Sequence, residues 1–255
     1  MNKFSVLLDA QFFLPTAELP STEDQYRDLW RLAKLLEEVG LPLDNWYPTE
    51  GSPAQSLLNL AFDQDGVTTA ALAITNAKKQ RYPSTRTIGV WNGAQEDEQG
   101  EEVGEAAGFD TRIGTGPTSS ALSMDMRQVE QLRDYRAVLK VVLKIIEIWK
   151  AHHVAVAPFA YAAKQVFDSR AGVGWMVYLP LALTTDQVPE AAELIPVFEE
   201  AEGKKKRTQR GTVVVSVADT FDAKNPEHIK RANAIEIRLA DQDLLPTYME
   251  LSLKS

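Results

Sequence analysis

The chain has 255 residues, 44% hydrophobic and 25% charged, enough for a sizeable core in one large domain or two small ones. Its formal net charge of −9 argues against nucleic-acid binding, which needs basic surface to displace counterions from phosphates, and it permits a basic partner. The absence of cysteine excludes disulfides, thiolate metal sites and cysteine nucleophiles, and makes the cytosol the default compartment.

The chain opens on "MNKFSVLLDAQFF", an apolar run too short for a signal peptide and broken by Asp9 and Gln11. No segment approaches the ~20 apolar residues of a membrane span, so no membrane partner is expected. Alternation of Phe4, Val6 and Leu8 predicts a strand. "STEDQYRDLWRLAKLLEEVG" predicts a helix capped by Ser21 or Thr22 and stopped at Gly40, with an apolar stripe from Tyr26 to Val39. "LPLDNWYPTEGSP" reads as a loop, because prolines and a glycine punctuate it. Two short helices split at Gly66 are expected next, although "VTTAALAI" also fits a strand. "RTIGVWNG" predicts a strand that ends in an Asn-Gly turn.

"AQEDEQGEEVGEAAG" then carries Glu96, Asp97, Glu98, Glu101, Glu102 and Glu105 with no base. Such a run is either a solvated loop or an anionic surface offered to a basic partner. Two strands about "GTGP" follow, and then a second strong helix over "DYRAVLKVVLKIIEIWKAHH". "VAVAPF" and "GWMVYLPLAL" predict strands, and "ELIPVFEE" and "RGTVVVSVADTF" a pair across the basic loop "AEGKKKRTQR". Asn225 and Pro226 begin a last helix, whose core face runs through Ile229, Ala232, Ile235, Leu239 and Leu244.

The expected fold is α+β, with helices packed on an antiparallel or mixed sheet in one domain over 1–255. A Trp-bearing strand, two further strands and a long helix occur over 86–150 and again over 173–243, which leaves an internal duplication open.

Few residues suggest chemistry. Gly172 and Gly174 in "GVGWMVYLP" lack the third glycine and the following helix of a dinucleotide loop, so they read as a hinge into a buried strand. Val173, Trp175 and Val177 are expected on one face of it, Met176 and Tyr178 on the other. His152, His153 and His228 have no metal-ligand spacing, and no cofactor is expected. Ser216 sits in an apolar strand without a nucleophile elbow, and Glu202-Gly203-Lys204 opens a loop rather than lying on a core strand. At helical spacing Glu236 and Arg238 do not face each other, and Asp241 and Asp243 read as polar ties near the C-terminal loop.

The stretches "PLDNWYPTEGSP", "GVWNG", "QVFDSRAGVGWMVYLP", "LTTDQVPEAAELIPV" and "NPEHIKRANAIEIRLADQDLLPTYMEL" resemble the immunity protein 52 family, in order from Leu41 to Leu251. The resemblance implies a non-catalytic cytoplasmic antidote to an antibacterial toxin of a contact-dependent or type VI secretion system. Toxins paired with this family resemble restriction-endonuclease-type nucleases. The family carries over no catalytic residue. Candidate toxin contacts are the six acids of 96–105 and, as exposed aromatic anchors, Trp46 and Tyr47. The alternative is an enzyme acting on a small molecule in a pocket near Trp46, Tyr47, Trp91 and Trp175.

Overall fold

The computed structural model describes residues 4–16, 18–49, 52–96, 102–199 and 207–253. The alternation at the N-terminus produces β1 (Ser5–Phe12). Helix α1 (Thr22–Leu36) starts on a capping box between Ser21 and Asp24. Its stop lies after a short 3-10 turn at Gly40, whose φ of +88° suits a residue without Cβ.

The loop that follows contains β2 (Tyr47–Pro48) and a single helical turn, α2 (Pro53–Ser56). The first of the two expected short helices thus shrinks to one turn, and a small hairpin, β3 (Phe62–Asp63) and β4 (Gly66–Val67), takes up the rest. Asp63 accepts from the backbone N–H groups of Asp65 and Gly66, a local bond that competes with helix. The second expected helix forms as α3 (Thr69–Arg81), capped by Thr68.

Next come β5 (Thr87–Trp91), the small β6 (Gln95–Glu96) and β7 (Glu102–Val103), β8 (Ala106–Arg112) and β9 (Ser120–Arg127). Helix α4 (Tyr135–Trp149) is capped by Asp134 and buries Val138, Val142, Ile145 and Ile146. Strands β10 (His153–Ala157), β11 (Met176–Leu179), β12 (Glu193–Glu199) and β13 (Thr208–Val215) precede α5 (Pro226–Asp241) and the short α6 (Tyr248–Ser252).

Nine strands form one antiparallel sheet in the order β12-β13-β11-β10-β1-β9-β8-β5-β2. Residues 86–150 and 173–243 share element order, but their pairing differs. Strands β5, β8 and β9 neighbour each other in chain order, whereas β13 lies between β11 and β12.

Strand periodicity decides what each face touches. Val6, Leu8, Leu122, Met124, Val154 and Tyr178 face the main core, together with Leu29 and Leu32 of α1 and Val142 and Ile145 of α4. On the opposite face, Val177, Leu179 and Val214 pack with Ile235 and Leu239 of α5 in a second, smaller cluster. The register carries that second face across the sheet, because directly paired antiparallel residues point the same way. Val177 pairs with Ala155, Ala155 with Asp9, and Asp9 with Ser123. The side of β1 that carries Asp9 is therefore the side on which α5 packs farther along.

The glycine pair is a hinge. Gly174 has φ +54°, and a Cβ there would meet the Ala157 Cβ at 2.6 Å. Trp175 is 1% exposed, and its indole N–H donates to the Val217 carbonyl at 3.1 Å. The expected facing needs one correction. Trp175 joins Met176 and Tyr178 in the main core, while Val173 and Val177 belong to the other cluster. The left-handed turn at Gly174 breaks the alternation just before β11 begins.

Candidate functional site

The second face of the sheet is covered at one end and bare at the other. Helix α5 closes the end over β11 and β13. It is tied down by Glu236, a buried carboxylate that accepts from the Tyr161 hydroxyl at 2.5 Å and from the N–H groups of Val166 at 2.7 Å and Val173 at 2.9 Å. Sequence spacing offered no sign of this role, because the partners lie 63 to 75 residues away. Near Thr118, Ser119 and His152, residues 251–253 dock at the edge of the sheet strands. Ser119 N–H donates to the Ser252 carbonyl, Thr118 bridges Leu253, and the His152 Nε2 lies 3.1 Å from the Leu251 carbonyl oxygen.

Beyond these covers, β1, β9, β8 and β5 leave a groove of about 380 Å³ lined by Asp9, Thr49, Gly89, Trp91, Asp110 and Asp125 among others. Its floor is built in cross-strand rows. One row runs Asp9, Ser123, Asp110, Gly89, and the next runs Leu7, Asp125, Gly108, Trp91. A neighbouring hollow of about 250 Å³ shares Trp91, Gly108 and Asp125 and extends toward Ala94 and Ala106. Gly89 keeps the floor low, since a Cβ there would come within 2.7 Å of the Asp110 Cβ.

The groove is acidic. Asp9 is exposed and accepts from the Ser123 hydroxyl at 2.9 Å. Asp125 is paired with Arg127. Asp110 is half-buried, and none of the influences on its carboxyl is a hydrogen bond among the described residues. Burial first, and the nearby Asp9 second, hold that carboxyl above its ordinary range, while Arg112 pulls it back.

Of the residues singled out from sequence, Trp91 borders this groove. The segment between β5 and β8 begins at its Trp91 rim, and Glu96 pairs with Glu102 across the β6–β7 hairpin there. Glu105 is half-buried, and its carbonyl accepts from the Asn92 amide at 2.9 Å. Asp97, Glu98 and Glu101 lie outside the described residues. Trp46 does not suit its expected role as an exposed anchor. It is 1% exposed and packs edge-on against Phe109 with ring centroids 4.8 Å apart. Tyr47 is half-buried, opposite Trp91 in the β2–β5 pairing. The tryptophans do not share a pocket either. Trp46 and Trp175 are packed into the core, and Trp91 alone of the three borders the groove.

The histidines are dispersed by role. His153 is fully buried, and burial lowers its pKa to about 3. His152 stacks on Phe13 with centroids 4.5 Å apart. The His228 Nδ1 accepts from the Asp222 N–H at 3.0 Å. Among the described residues no three His, Asp or Glu side chains converge as metal ligands. No helix among them is long and apolar enough to cross a membrane.

A family model described as "Immunity protein 52" matches residues 17–248. Among solved structures, one titled "Pseudomonas aeruginosa T6SS protein PA0821" is similar to this chain with a TM-score of 0.49 and 12% identity, over 91% of this chain and 73% of that one. No curated protein matches in sequence.

Proposed function

The chain belongs to the immunity protein 52 family, and from that premise we propose that it neutralises a nuclease toxin of a type VI or related secretion system inside the cytoplasm of the producing cell. The observation that carries the reading is the family match over residues 17–248. The net charge of −9 supports the nuclease part. A nuclease holds a basic cleft for phosphates, and an acidic protein is attracted to such a cleft and repelled by the nucleic acid itself. The antidote then acts by occupancy, without catalysis. The acidic segment from Glu96 to Glu105 and Tyr47 supply docking elements, and the charges of the segment accelerate encounter.

Co-expression with the toxin encoded by the neighbouring gene tests this reading. Growth should be restored, and equimolar protein should abolish DNA or RNA cleavage in vitro. Cell death with intact nucleic acid would remove the nuclease assignment and leave the antidote role standing. Protection by the His152→Gln, His228→Gln variant should equal that of the wild type. Its loss in a folded variant would favour the enzyme alternative.

A further inference from the structure

Building on the antidote reading, we propose that the bare groove over β1, β9, β8 and β5 is the toxin-docking site, and that an arginine or lysine side chain of the toxin seats between Asp9, Asp110 and Trp91. The groove is the part of the second sheet face that neither α5 nor the 251–253 segment covers. Its shape fits a protruding cationic side chain. Asp9 and Asp110 sit two strands apart in one row, so their backbones are about 10 Å apart at the usual strand spacing. Among the described residues no third His, Asp or Glu joins them as a metal-ligating group, and the span suits a guanidinium lying over Ser123.

Among the described residues no hydrogen-bond donor reaches the half-buried Asp110 carboxyl, and a charged donor from a partner would supply one. Trp91 borders the same space, and an indole ring attracts a cation. The glycine floor lets the incoming chain approach the sheet backbone closely. In the chain, the acidic run that starts at Glu96 follows Trp91 closely. A nuclease brings lysines and arginines in the cleft that holds its phosphates. A second copy of this chain, at −9, would be repelled.

Calorimetric titration of the full chain with the neighbouring gene's toxin, made catalytically inactive, tests the proposal at about 0.15 M salt. Asp9→Lys with Asp110→Lys should weaken binding by about 100-fold or more, and Asp110→Asn by about tenfold. Glu23→Lys with Glu38→Lys, an equal charge change at α1 and the turn after it, should leave Kd within about twofold, because exposed charges remote from an interface are screened. Unchanged affinity in the folded double lysine variant overturns the groove and leaves the antidote reading intact. Should that variant not fold, Asp9→Asn with Asp110→Asn decides by the same loss of affinity. A wild-type chain that does not bind the toxin ends the antidote reading for that pair and this proposal with it. A charge reversal that alters only self-association would assign the groove to a second copy, and would equally overturn it.

Discussion

The two ends of the second sheet face are built differently, and the contrast separates what holds the fold from what is available to a partner. Under α5, β11 is buried on both sides, and Val213, Val214 and Val215 of β13 are all inaccessible. Over the bare end, β9 alternates buried and half-buried residues from Ser120 to Met126. A strand covered on both faces needs apolar residues at every position, whereas a strand with one wet face needs them at every second one. The covered end also has a polar fastening, Glu236, while the bare end keeps a half-buried carboxylate, Asp110, that no donor among the described residues reaches.

Substitutions at the covered end should produce the largest losses. Trp175→Ala should destabilise the chain by ~3–5 kcal/mol in chemical denaturation, since it removes a large buried ring from the main core. Glu236→Ala should cost roughly 3 kcal/mol or more, because the Tyr161 hydroxyl and the Val166 and Val173 N–H groups all lose their acceptor. A loss below about 1 kcal/mol would mean, for Trp175, that its ring is not packed in the main core and, for Glu236, that α5 is not fastened as described.

An intermediate effect depends on pH. His153 is held at about 3 by burial, below its ordinary value of 6.5, so it remains neutral in the fold while the unfolded chain takes up a proton. The stability that comes from keeping it neutral is complete above about 6.5 and declines as pH falls toward 3, by up to about 1.4 kcal/mol per unit. Denaturation at several pH values should show this slope in the wild type. His153→Gln should remove that component whatever its effect on absolute stability.

The smallest effect, of opposite sign, belongs to the bare end. Asp110 has a raised pKa in the fold, so its charged form disfavours folding once pH exceeds the ordinary carboxylate value. Asp110→Asn should therefore raise the Tm at pH 7, and the gain should vanish in acid below that value. A variant that is more stable yet binds the toxin less well would show a stability cost retained for recognition. A lowered Tm at neutral pH would mean that the carboxylate supports the fold.

The helices were the most legible part of the chain. The Ser21 cap, the Tyr26 to Val39 stripe, the Asn225-Pro226 start and the apolar face of α4 are local signals, and each became the element it predicts. The region after Pro53 was less legible, because a four-residue turn and a hairpin closed by Asp63 have no sustained periodicity to read. Trp46 misled for a related reason. A tryptophan in a proline-punctuated loop looks exposed, but this loop folds inward and places its ring on Phe109. The acidic run from Glu96 to Glu105 was visible as composition, whereas Asp9, Asp110 and Asp125 stood apart on three strands and suggested no cluster.

The sequence by itself determined the α+β class, the positions of its long helices and strands, the hinge at Gly172 and Gly174, and the family resemblance, because periodicity, capping, glycine sterics and motif order are properties of neighbouring residues. Only the tertiary structure decided that β1 lies in the middle of the sheet, that β13 inserts between β11 and β12, and that Glu236 fastens a loop from 63 residues away or more. The acidic groove is of the same kind. Asp9 and Asp110 are 101 positions apart in the chain and share one row only because both β1 and β8 pair with β9 in a register that local sequence does not encode.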